Sequence, residues 1–143
     1  MKQTAMTMLI QVENKTEVER LLALLNIGLC VAIGQGALSI EAAEDYLYSP
    51  YMLEKLQELG VSPQAIRMVH LGADLEDIVS LLPEKLDESL AEIQGTALAI
   101  LQTLPAIGLG NQWVQTVLTA TQLENATTGK PKRTQRQKAY AAS

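Results

Sequence analysis

Residues 21–33 read LLALLNIGLCVAI, and this stretch decides the fold class. Leu and Ala dominate it, which favours a helix over a strand. On a helical wheel the apolar residues fall on nearly every side, so the expected helix has no polar face to turn to water. A membrane span needs about 18 apolar residues, and this shorter run is interrupted by Asn26. The stretch therefore predicts a helix buried on most sides. Gly28 would let a neighbouring backbone come close, which suits a bundle centre or a seam between two copies of the chain. Thr16 and Glu19 have the spacing of a capping box, so the helix is expected to begin at Thr16. Gly34 or Gly36 would supply its left-handed stop.

Working outward, short helices with readable starts follow. Ser39 opens one that carries Glu41, Glu44 and Asp45 near its first turns, where acids suit the helix dipole. Ser49-Pro50 and Ser62-Pro63 each place a cap before a proline whose missing N–H costs nothing there. Met52, Leu53, Leu56 and Leu59 form the inner stripe of the first, ended by Gly60. Ile66 and Val69 face inward in the second, ended by Gly72. Asp74 is expected to cap a further short helix holding Leu75, Ile78, Val79 and Leu82. Pro83 opens a longer one, in which Leu86, Leu90, Ile93, Ala97, Leu101 and Leu104 recur at steps of three and four.

A last helix would hold Trp113, Val114, Val117, Leu118 and Thr121 on one face. At the other end, residues 4–12 (TAMTMLIQV) predict a short strand paired with another chain, or an extended arm. The fold expected is all-α: a compact bundle of about six or seven helices around a buried apolar first helix, with a short N-terminal strand and a disordered C-terminal tail.

The net charge of −5 is the sum of two opposite parts. Residues 1–125 hold sixteen acids and six bases, whereas residues 126–143 hold no acid and five bases. This predicts an acidic helical domain at 1–125 and a basic tail at 126–143, and charge is the best clue to partners. The lone Cys30 cannot form an internal disulfide, and Leu29 and Val31 beside it do nothing to lower its pKa. No secretory signal is evident in the first twelve residues, so the cytoplasm is the expected compartment.

Nothing in the chain has the spacing of a known catalytic or cofactor motif. Gly34-Gln35-Gly36 and Gly108-Leu109-Gly110 do not follow expected strands, so neither is a nucleotide loop. One His and one Cys exclude His-rich zinc sites within one chain. His70 lies near a helix C-terminus, where an imidazole suits the dipole. Its alternative use is as a general base beside Asp74, Glu76 or Asp77. No catalytic residue, cofactor or metal is expected.

Two surface features remain. Glu84, Glu88 and Glu92 stand at steps of four with Asp87 beside them: a solvated face, or a docking surface for a basic protein. Residues 50–71 look like a helix–turn–helix segment that would present Gln64 and Arg67. Lys130, Lys132, Arg133 and Arg136 in the tail would add phosphate contacts. The acidic body opposes that use. The leading expectation is a non-enzymatic protein–protein interaction domain (an adaptor, an assembly partner or an immunity-type protein). Its partner would be a basic protein or a second copy. The alternative is a DNA-associated regulatory protein.

Several stretches carry a resemblance. They are Ile27-Gly28-Leu29, Leu38-Ser39-Ile40-Glu41, Ser49-Pro50-Tyr51, His70-Leu71-Gly72, Leu75-Glu76-Asp77 and Leu82-Pro83-Glu84. Over roughly residues 10–95 the chain resembles a family of small bacterial proteins of unknown function. The resemblance implies a compact helical domain and brings no functional residue with it.

Overall fold

The computed structural model describes residues 5–117. The chain divides into a helical unit, 13–108, and a second unit that includes residues 5–12 and 109–117. In the helical unit α1 is Lys15–Gly34, α2 Ile40–Tyr46, α3 Pro50–Leu59, α4 Pro63–Ala73, α5 Leu75–Leu81 and α6 Leu86–Thr103, with a 3-10 turn at Pro83–Lys85 before α6. The expected helical class is found. In place of six or seven comparable helices, four of ten residues or more (α1, α3, α4 and α6) carry the unit, and the seven-residue α2 and α5 link them.

The starts of the short helices are set locally, as the sequence predicts. Ser39 Oγ accepts from the Ala42 N–H at 3.0 Å, Ser49 Oγ from Met52 at 3.3 Å and Ser62 Oγ from Ala65 at 3.2 Å. Each bond satisfies one of the orphan donors of a helix's first turn. The start of α1 differs from expectation. Asn14 is its cap, accepting from the Glu17 N–H at 2.9 Å, and Thr16 lies inside the helix. Glu19 makes no capping box. Its carboxylate reaches across to Ser62, accepting from the hydroxyl at 2.8 Å and from the N–H at 3.1 Å, and so ties the start of α4 to α1.

Helix α6 lies along α1 and runs in the opposite direction. Leu90, near the start of α6, meets Gly34 at the end of α1. Pro105 and Gly108, just beyond α6, bond Arg20 and Glu17 near the start of α1. Leu90, Ile93, Ala97 and Ile100 of α6 are buried with Leu22, Ala23, Leu29, Cys30 and Ile33 of α1. Ala43, Leu47, Tyr48, Leu56, Val61, Ala65, Met68, Val69 and Leu75 complete that core. Leu101 and Leu104, expected inside, sit at its edge.

α1 is not buried on most sides, contrary to expectation. Leu24, Leu25 and Val31 are 53%, 41% and 48% exposed. The helices that cover α1 lie on one side of it, so an apolar helix has been left half open.

The link from α4 to α5 also departs from the sequence reading. Gly72 does not end α4, which continues to Ala73. Asp74 forms no side-chain cap on α5 and keeps a helical backbone, so the chain turns there without a break. Gly72 is buried because the ring of Tyr48 lies on it.

In the second unit β1 (Thr7–Ile10) pairs antiparallel with β2 (Val114–Val117), Thr7 opposite Val117 and Ile10 opposite Val114. The Gln11 N–H extends the ladder to the Trp113 carbonyl at 2.7 Å. The predicted strand therefore exists, with its partner in the same chain rather than another. The last helix expected from Trp113 is, over its described part, a strand. Trp, Val and Thr are strand formers, and over five residues their spacing fits either element. Leu118, Thr121 and the basic tail lie outside the described residues.

Candidate functional site

A polar cluster lies in the core around Asn26. Asn26, fully buried on α1, donates through Nδ2 to the Leu22 carbonyl at 2.8 Å and accepts from the Tyr48 hydroxyl at 2.8 Å. The Cys30 Sγ lies 3.7 Å from the same hydroxyl. Burial pushes both the Cys30 thiol and the Tyr48 phenol above their ordinary values, and the nearby sulfur adds to the effect on the phenol. The thiol therefore stays protonated and is a poor nucleophile. Among the described residues no buried side-chain nitrogen or oxygen lacks a partner. A fully satisfied cluster of this kind fixes one packing arrangement. Here it fixes α1 against the α2–α3 connection.

Tyr48→Phe keeps the ring and leaves Asn26 Oδ1 without its donor. It should cost about 1–3 kcal/mol in urea unfolding, and adding Asn26→Leu should recover part of that loss. Equal stabilities of parent and Tyr48→Phe would show that the hydroxyl contributes nothing.

The acidic positions picked from the sequence are all exposed: Glu84 on the 3-10 turn, and Asp87, Glu88 and Glu92 on α6. Two of them have cation partners. Glu88 pairs with Lys85 at 3.3 Å, and Glu92 faces Arg67 of α4 at 3.9 Å. Asp87 lies on another side, with Val31 and Gly34 of α1, Gln35 just after it, and Ala91 and Gln94 of α6. Together they line a groove over Cys30 and Leu90.

Gln64 and Arg67 are exposed on α4, as a reading helix would need, but Arg67 already faces an acid. Lys130, Lys132, Arg133 and Arg136 lie outside the described residues. His70 is exposed on α4. The sequence reading missed a pair of acids: Glu44 of α2 bonds Glu76 of α5, which holds the Glu44 carboxyl above its ordinary value. Among the described residues no three His, Cys, Asp or Glu side chains gather as metal ligands, and no helix is long and apolar enough to cross a membrane.

The sequence reading also missed an apolar surface on the α1–α6 pair. Leu24, Gly28 and Val31 are exposed along α1, and Ala91, Gly95 and Leu98 along α6. Steps of three and four put each set on one helix face, and the shared groove puts Val31 and Ala91 on the same side of the pair. A Cβ at Gly28 or Gly95 would meet no atom within 4 Å, so the surface is open at both. Apolar residues exposed singly are ordinary, whereas a row on two neighbouring helices is not. Periodicity hid this face. α1 is apolar on every side, and in α6 the small residues Ala91 and Gly95 stand where a polar outer face was assumed.

Residues 13–127 match the sequence model of a family described as Protein of unknown function (DUF3969). The match extends beyond the stretch that carried the resemblance. No curated protein and no solved structure matches the chain.

Proposed function

We propose, for a chain that belongs to the DUF3969 family of proteins of unknown function, that it is a non-enzymatic protein-binding domain working through the outer face of α1 and α6. The observation that carries this reading is the row formed by Leu24, Gly28 and Val31 beside Ala91, Gly95 and Leu98, exposed on the two longest helices. Their opposite faces are locked in the core, so the surface is rigid as well as apolar. Burying such a surface against a partner releases its ordered water and stabilises the complex. The acids at Glu84, Asp87, Glu88 and Glu92 flank it and favour a basic partner. The neutral, buried Cys30 thiol supports a role without chemistry. An adaptor, an assembly partner and an immunity-type protein all fit this reading, in the cytoplasm.

Val31→Glu and Leu98→Glu test it. Both side chains are about half exposed, so each variant should keep its helical circular dichroism. Each should lose the capture of a stoichiometric partner from cells by at least about tenfold, roughly 1.4 kcal/mol. Leu59→Glu, on an exposed position of α3, serves as the control and should capture as the parent does. Undiminished capture by Leu98→Glu would remove this face from the function.

A further inference from the structure

We infer that the groove between α1 and α6 takes a single amphipathic, basic helix of a partner protein. This rests on the protein-binding reading above and names the occupant of its surface. Two antiparallel helices in contact leave a furrow in which a third helix packs by inserting side chains at steps of three and four. The positions lining it have that step on both walls: exposed Leu24, Gly28 and Val31 on α1 with Gln35 just beyond its end, and on α6 exposed Asp87, Ala91 and Leu98 with half-buried Gln94. From Leu24 to Gln35 the furrow runs about 16 Å, three helical turns. Gly28, Gly34, Ala91 and Gly95 leave room for a backbone to approach, and Leu24, Val31 and Leu98 supply area along it.

Charge selects among occupants. Among the described residues lining the groove, Asp87 is the one that carries charge, and Gln35 and Gln94 are neutral. Lys85, on the turn before α6, and Arg67 of α4 are each paired with an acid of α6, Glu88 and Glu92. The helical unit holds fifteen acids against five bases. Lysines or arginines on the partner helix are therefore attracted to the Asp87 end of the groove. A second copy of this chain would bring a surface of the same sign. The chain's own basic segment, GKPKRTQRQK at 129–138, has Pro131 as its one apolar residue and so has no stripe to fill the furrow.

The probe is a synthetic helical peptide of about 18 residues, with Leu and Ala on one face and Lys on the other. Its counterpart carries Glu at every Lys. Each is titrated into the 15N-labelled full chain. The Lys peptide should shift the amides of Leu24, Gly28, Val31, Asp87, Ala91, Gly95 and Leu98 as a cluster, and the Glu peptide should not. Asp87→Lys and Leu98→Glu should each weaken binding by at least about tenfold, and Glu54→Lys, an exposed charge change on α3, should leave it unchanged.

Shifts centred elsewhere, equal binding of both peptides, equal weakening by Glu54→Lys, or no shift at millimolar peptide would each overturn the proposal. Concentration-dependent broadening of the same amides without peptide would overturn it in favour of a second copy. If the Lys peptide leaves the groove untouched while Leu98→Glu still abolishes capture of the natural partner, the protein-binding reading stands and the basic helix falls. If Leu98→Glu changes neither, both fall.

Discussion

Gly72→Ala is expected to melt more than about 10 °C below the parent. Helix propensity predicts the opposite sign, because in a helix interior Ala is favoured over Gly by about 1 kcal/mol, and Gly72 lies inside α4. The neighbour decides. A methyl group here would fall within the ring of Tyr48. That ring is 2% exposed, and its hydroxyl is bonded to Asn26 at 2.8 Å. It cannot swing aside as the end of a surface lysine would. Either the ring moves and the Asn26 bond breaks, or α4 is pushed off the core. Overpacking costs about 1–3 kcal/mol and sometimes more, and the lost hydrogen bond adds about 1 kcal/mol. A methyl this close to three ring atoms takes the upper end of the overpacking range, so the net loss is about 3 kcal/mol after the propensity gain.

Gly28→Ala and Gly95→Ala are the controls. Nothing lies within 4 Å of either new methyl, so each should gain up to about 1 kcal/mol. Three helical glycines with one substitution and opposite signs make the test. A Gly72→Ala protein that melts at or above the parent would mean that Tyr48 does not rest on this glycine.

Gly72 also shows where the sequence stopped being legible. Glycine near the end of an apolar pattern reads as a helix stop because that signal is local. What Gly72 does depends on Tyr48, whose position relative to α4 no spacing reveals. The same division runs through the fold. Ser39, Ser49 and Ser62 cap helices three residues away and were readable. Glu19 has the right spacing for a local cap and yet bonds Ser62, far along the chain. The strand at Thr7–Ile10 was readable from its residues, whereas its pairing with Val114–Val117 was not. The candidate surface failed for a related reason. An apolar helix does not announce which side its neighbours will cover, and Ala91 and Gly95 are too small to mark an apolar face in the spacing of α6. Once folded, Glu88 and Glu92 face cations, and Asp87 turns to the groove.

Glu17→Ala should destabilise the fold by about 1.5–3 kcal/mol in denaturant unfolding at neutral pH. Glu17 is 2% exposed and holds two distant parts of the chain together. Its carboxylate accepts from Arg20 Nε at 2.9 Å and from the Gly108 N–H at 2.8 Å, and Arg20 donates onward to the Pro105 carbonyl. The segment leaving α6 is thereby clamped to the first turns of α1. Removing the carboxylate leaves a largely buried guanidinium without its counter-charge and a backbone donor without its acceptor. Glu17→Gln keeps an acceptor and should lose less.

The clamp also has a pH signature. The bond from Arg20, and then the Gly108 N–H, hold the Glu17 carboxyl below its ordinary value of 4.5, outweighing the opposing effect of burial. A carboxyl whose folded pKa is depressed contributes stability that is complete above its unfolded pKa and is lost as pH falls through the folded one. The parent should therefore weaken on acidification below about 4.5, and Glu17→Gln, with no proton to take up there, should show a flatter profile. Equal slopes in the two proteins, or a cost below about 1 kcal/mol for Glu17→Ala, would show that the clamp is not holding the fold. Because the clamp sits at the opposite end of the α1–α6 pair from Asp87, the surviving folded fraction of Glu17→Ala should still bind the Lys peptide, separating the stability of the helix pair from the use of its groove.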